Sequence, residues 1–165
     1  MRRITIMEIL KWAVFAVVIV LIVRMRAGGK ISETPFETMS EAVVASSDLS
    51  AQLEGDRQMI RRLYRLDPDE YDGVVLYYPV TNMGAEELLL VRLSDADQEE
   101  AVLAAVESRI AAQKDSFEGY GIEQMEMLEH AVIKSEGNYV LFVSAKDPDP
   151  VRRAFEEHLY EGGAS

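Results

Sequence analysis

The stretch from Ser116 to Gln124, SFEGYGIEQ, sets Phe117, Tyr120 and Gln124 around two glycines. Aromatic and amide groups on a glycine-hinged break suit contact with a ligand or a protein partner, since the rings supply apolar area and the polar groups orient it. Tyr77 and Asn82, at the two ends of YYPVTN, are the residue types of a neighbouring wall. The ordinary alternative is that Phe117 and one tyrosine are core and the glycines only end a helix. Sequence leaves both readings open.

The remaining candidates are weaker. DPDEYDG (Asp67 to Gly73) invites a calcium reading, but counting from Asp67 puts Asp72 where the loop needs glycine and Tyr78 where it needs a bidentate glutamate. A helix stop with solvated carboxylates explains it. Asp147-Pro148-Asp149-Pro150 reads as a capping turn. Glu123, Glu126 and Glu129 share a helix face, as a carboxylate pair or, more ordinarily, a solvated face. Arg57, Arg61, Arg62 and Arg65 can bind an anionic polymer or an acidic patch, or pair with the chain's own carboxylates. His130 and His158 are the only histidines, and neither has a serine or an acid at triad spacing. No catalytic residue, metal site or cofactor is expected.

Composition narrows the classes further. The 165 residues make one domain plus a tail, and 48% apolar with 28% charged residues is ordinary globular usage. The absence of cysteine removes disulfides, thiolate metal sites, cysteine nucleophiles and a lipidated cysteine. A formal charge of −12 argues against nucleic acid as a partner. The charge is split, because residues 1–30 carry +5 and the rest −17. A basic, apolar head on an acidic body is the pattern of membrane targeting.

Trp12 to Val23 is uninterrupted hydrophobe, including Trp12, Phe15, Val18, Leu21 and Val23. As a helix it reaches ~18 Å, short of a hydrocarbon core of ~30 Å; starting at Ile4 closes the gap. Glu8 and Lys11 then lie three apart and can snorkel, with Trp12 at interfacial depth. The competing reading is a cleaved signal peptide ending at Ala27-Gly28-Gly29, against which Arg24 and Arg26 favour retention. Lys and Arg flank the run in equal number, so charge alone does not orient it.

The elements that must carry the candidate site are legible as changes of period. Phe36, Met39 and Val43 mark one short helix after a polar stalk, residues 31–35; Met59, Ile60, Leu63 and Tyr64 mark a second. Ser46 to Gly55 reads as a polar break between them. Val74–Tyr78 and Glu87–Leu93 read as strands, followed by a helix over Val102–Phe117 capped by Ser94 or Asp95, with Ile110 on its inner side. One or two further turns fit Ile122 to Leu128. Ala131–Lys134 and Tyr139–Ser144 flank a hairpin turn at Gly137, and a closing helix turns Val151, Ala154, Phe155 and Leu159 inward.

The expected class is α+β: an N-terminal transmembrane helix, then one domain with a four-stranded, mainly antiparallel sheet and helices on one face. The element order is α-α-β-β-α-β-β-α. The division is 1–30 anchor, 31–35 stalk, 36–160 domain and 161–165 flexible tail.

YDGVVLYYPVTNMGAEELLLVRL (Tyr71–Leu93), AVESRIAAQKDSFEGYGIEQ (Ala105–Gln124) and LEHAVIKSEGNYVLFVSAKDPD (Leu128–Asp149) together resemble the bacterial domain-of-unknown-function family 4358. The resemblance implies an extracytoplasmic domain behind a signal, lipoprotein or transmembrane N-terminus, with no assigned activity. Many members carry a lipidated cysteine, which this chain lacks, so the helix itself must anchor it. The resemblance also favours the N-terminus inside and the domain outside. The expectation is a single-pass, membrane-tethered, non-catalytic domain that contacts the lipid bilayer through its head and binds a protein or envelope partner. The alternatives are a carboxylate-dependent envelope hydrolase, or a structural subunit of a membrane complex handling surface polymers.

Overall fold

Two strands carry unbroken apolar runs, and that decides the architecture. β3 (Glu87–Arg92) reads ELLLVR and β5 (Tyr139–Ser144) reads YVLFVS, both buried almost throughout. Strands without polar alternation need cover on both faces. The computed structural model, which describes residues 31–160, supplies it from both sides.

The chain runs α1 (Phe36–Ala45), β1 (Gln52–Glu54), α2 (Arg57–Tyr64), β2 (Gly73–Pro79), β3, α3 (Glu99–Phe117), α4 (Ile122–Glu129), β4 (Val132–Glu136), β5 and α5 (Asp149–His158). The sheet is five-stranded and antiparallel throughout, in the order β1-β2-β3-β5-β4. On one face, Leu89, Val91, Val140 and Phe142 pack under α2 and α3 through Ile60, Tyr64, Val102 and Val106. On the other, Leu88, Leu90, Leu141 and Val143 pack under α1 and α5 through Met39, Val43, Val151 and Phe155.

The structure differs from the sequence expectation in two respects. The sheet has five strands rather than four, because Gln52–Glu54, inside the supposed polar break, adds an edge strand paired Gln52 to Pro79 and Glu54 to Tyr77. Three mostly polar residues at an edge leave no periodic signal. The helices cover both faces rather than one, as the continuous apolar runs of β3 and β5 require. The anchor reading falls on residues 1–30, outside the described residues. Among the described residues no helix is long and apolar enough to cross a membrane.

Local chemistry explains the ends of the elements. Asp56 caps α2 by accepting from the Met59 amide at 2.8 Å. Asp95 and Gln98 form a capping box on the short turn leading into α3. Gly137 sits at φ 64° in the β4–β5 turn, a conformation glycine adopts without steric cost. The inner row of α3 is Val102, Val106, Gln113 and Phe117, with Arg109 in line and Ile110 only half-buried on its shoulder.

Residues 31–35 do not hang free as a stalk. Ser32 and Thr34 are buried, and their hydroxyls donate to the last carbonyls of the α5 end, Ser32 to Leu159 and Thr34 to His158 at 2.6 Å. Tyr139 ties the same strap by donating to the Thr34 carbonyl at 2.8 Å. The strap therefore satisfies helix-end acceptors that would otherwise be orphaned. Thr34→Val should cost about 1–2 kcal/mol in a thermal melt. Ser40→Ala, on an exposed hydroxyl, should stay within about 0.5 kcal/mol.

The sheet register separates two ends of the domain. Residue 31, the Gly137 turn and the end of α5 gather where Arg92 pairs with Tyr139. The loop after Pro79, the turn after Phe117 and the segment after Ser144 gather at the other end, where Glu87 pairs with Ser144. Along β3 the two ends lie ~17 Å apart.

Candidate functional site

At the end remote from residue 31, α3 breaks and α4 begins. Gly119 takes φ 86°, which turns the chain out of the helix. Gly121 is needed for a different reason, because a Cβ there would lie 2.8 Å from the Phe117 side chain. Between them Tyr120 is held outward at 61% exposure, its hydroxyl donating to the Ser116 carbonyl and its ring edge-on to Phe117 at 6.1 Å. The ring is thus fixed before any partner arrives. Ile122, 82% exposed, follows it, and Met83, 59% exposed, is brought alongside α4 by Gln124 Nε2 donating to the Met83 carbonyl at 2.9 Å.

Of the candidate residues, the structure brings Phe117, Tyr120 and Gln124 together. Phe117 is buried among Ala85, Met127 and Leu128 and serves as the floor. Asn82 is exposed in the loop that Gln124 holds. Tyr77 does not join them; it is half-buried against the cluster beneath α1 and α5, where burial first and Glu54 second push its hydroxyl pKa up. Met83 and Ile122, both exposed beside this turn, are further candidates that sequence did not single out, although Ile122 lies within the SFEGYGIEQ segment.

Grooves flank α4. One, of about 540 Å³, has Phe117, Tyr120, Ile122 and Met125 on its walls with Glu129 at its rim. The second, of about 640 Å³, lies between α4 and the segment Ala145 to Asp149 and includes Glu123 and Lys146. Glu126 and His130 border both. His130 Nδ1 lies 2.8 Å from the Glu126 carbonyl, so the ring is tied to the end of α4. Among the described residues no three His, Asp or Glu side chains converge to hold a metal ion. Asp67 and Asp69 of DPDEYDG face arginines instead, with Arg57 on Asp69 at 2.5 Å and Arg61 on Asp67 at 2.6 Å. The backbone amide of Asp69, then Arg61, hold the Asp67 carboxyl below its usual range.

What positions this end is a buried polar cluster that the sequence reading missed. Glu87 opens β3 with none of its side chain exposed. Arg109 grips it in a fork, Nε to Oε1 at 3.0 Å and Nη2 to Oε2 at 2.7 Å. Tyr64 donates to Oε1 at 2.5 Å, and Gln113 Nε2 to Oε2 at 3.0 Å. Burial, reinforced by the Glu87 charge, pushes the Tyr64 hydroxyl pKa well up. Burial opposes the charge of Arg109, yet its hydrogen bonds to Glu87 hold its pKa above the usual guanidinium range. One carboxylate therefore pins α2 and α3 to the sheet, and Phe117 follows Gln113 by one turn of α3. The local sign was two polar residues, Arg109 and Gln113, in the apolar row of a helix.

The described domain is thus an antiparallel sheet between helices, with a rigid aromatic turn and grooved helix at one end. It belongs to the family described as "Domain of unknown function (DUF4358)", whose model matches residues 45–145. That span contains Tyr64, Glu87, Arg109 and the whole Phe117–Gln124 turn, whereas α5 lies outside it. No curated protein and no solved structure matches the chain.

Proposed function

We propose that the protein is a non-catalytic interaction domain, tethered at the cell membrane by residues 1–30 with the domain outside, that docks a protein partner on the Tyr120 end. The observation that carries the docking role is the pairing of exposure with rigidity. Tyr120 and Ile122 present large apolar area to solvent, on a turn held by Gly119, Phe117 and the Ser116 carbonyl. A fixed amphipathic ring loses little conformational entropy on binding, which suits an interface anchor. The tether is supported by the basic, apolar residues 1–30 ahead of an acidic body.

The test separates docking from folding. Tyr120→Ala should leave the melting temperature nearly unchanged, because the ring is mostly solvated, while in-cell crosslinking to the partner falls. A melting drop of many degrees would make Tyr120 a structural residue and remove the docking site. The tether is checked by intact mass and a high-salt wash. A chain that begins after Gly29 and washes free would instead be secreted.

A further inference from the structure

The grooves on either side of α4 share Glu126 and His130. Both grooves have apolar walls: Phe117, Tyr120, Ile122 and Met125 line one, and Met127 and Val132 line the other. Their rim is acidic: Glu123 borders one groove, Glu129 the other, and Glu126 both. Among the described residues none of these three side-chain carboxylates has an ion-pair partner, in contrast to Asp67, Asp69, Glu87 and Glu156, which all face Arg or Lys. Lys146 is the one Lys or Arg on these walls among the described residues.

We propose that this face takes a basic, amphipathic segment of a partner protein, its apolar side chains set against Tyr120 and Ile122 and its Lys or Arg side chains meeting Glu123, Glu126 and Glu129. The inference rests on the docking reading above and adds the chemistry of the partner. Charge complementarity chooses among occupants. A second copy of this chain would bring the same carboxylates to the contact, and an anionic lipid surface would meet the same repulsion. A neutral apolar segment would fill the groove but leave three carboxylates to be partly desolvated without compensation. A basic amphipathic helix lying along a groove satisfies both the apolar floor and the acidic rim.

The test uses the full chain in a non-ionic detergent, titrated with three labelled helical peptides of equal leucine content whose polar faces carry lysine, glutamine or glutamate. The lysine peptide should bind, the glutamine peptide more weakly by ~10-fold or more, and the glutamate peptide not at all. The combined substitution Glu123→Gln, Glu126→Gln, Glu129→Gln should weaken the lysine peptide by ~10-fold or more, and raised salt should do the same. The combination Glu41→Gln, Glu100→Gln, Glu107→Gln, on exposed carboxylates elsewhere, should change it by less than about twofold. Equal losses from the two triples would reduce the effect to diffuse attraction by an acidic body and overturn the proposal. Equal binding of the lysine and glutamine peptides would also overturn it while leaving the docking reading in place. If Ile122→Ser bound the lysine peptide as the native chain does, the docking reading would fall with it.

Discussion

Arg109→Met should lower the unfolding free energy by about 3–5 kcal/mol, because it strands the Glu87 carboxylate inside the protein. Glu87 is fully buried, and both its oxygens are held by the Arg109 fork. Tyr64 and Gln113 would still donate hydrogen bonds, but neither carries the compensating charge. Methionine keeps most of the volume, so cavity formation contributes little to the loss. A urea titration reads the effect as a lower midpoint at unchanged slope. Glu107→Ala, two residues earlier on the exposed side of α3, should cost under about 0.5 kcal/mol. Similar losses at the two sites would mean that the pair is not buried. The double replacement Glu87→Leu, Arg109→Met should recover part of the loss, since no charge is then left inside.

The second large effect tests the other face of the sheet. Phe155→Ala should cost about 3–5 kcal/mol. The Phe155 ring is fully buried beneath α5, edge-on to Tyr139 at 6.4 Å, within the cluster that includes Met39, Leu90 and Leu141. A loss under about 1 kcal/mol would mean that α5 does not pack on this face, and calorimetry or denaturant titration measures it.

Much of the framework was readable because it is local. Tyr139–Ser144 was assigned at its true bounds, and α3 was recognised from its period and its end at Phe117; of Ser94 and Asp95, both read as possible caps, Asp95 caps the short turn that leads into it. Gly137 marked the hairpin, although the strand before it runs on through Ser135 and Glu136. What escaped is nonlocal. The Ser32 and Thr34 hydroxyls look like linker chemistry until the end of α5, more than a hundred residues later, supplies the carbonyls they bind. Glu87 and Arg109 are ordinary charged residues until the fold closes around them. The second helical layer is implied by LLLV and YVLFV, whose unbroken apolar runs need cover on both faces.

The candidate site was legible in part for the same reason. Gly119, Tyr120 and Gly121 are consecutive, so the exposed turn follows from sequence, and Gln124 lies one helical turn further on. Tyr77 failed through strand parity. Tyr77 and Tyr78 alternate across β2, Tyr78 packing on the α2 and α3 face and Tyr77 on the α1 and α5 face. The acidic rim was visible as Glu123, Glu126 and Glu129, but sequence could not say that grooves with apolar walls lie beside it.

The docking role is tested most directly by a photo-crosslinking side chain placed at position 122 in the full chain, with position 107 as the control, in intact cells. Both positions are exposed, but only 122 borders the groove beside Tyr120. The expected result is a discrete crosslinked species from position 122, in the membrane fraction, that disappears with Tyr120→Ala while the melting temperature holds. Equal crosslinking from 107 and 122, or none from 122, would contradict a docking surface at this end of the domain.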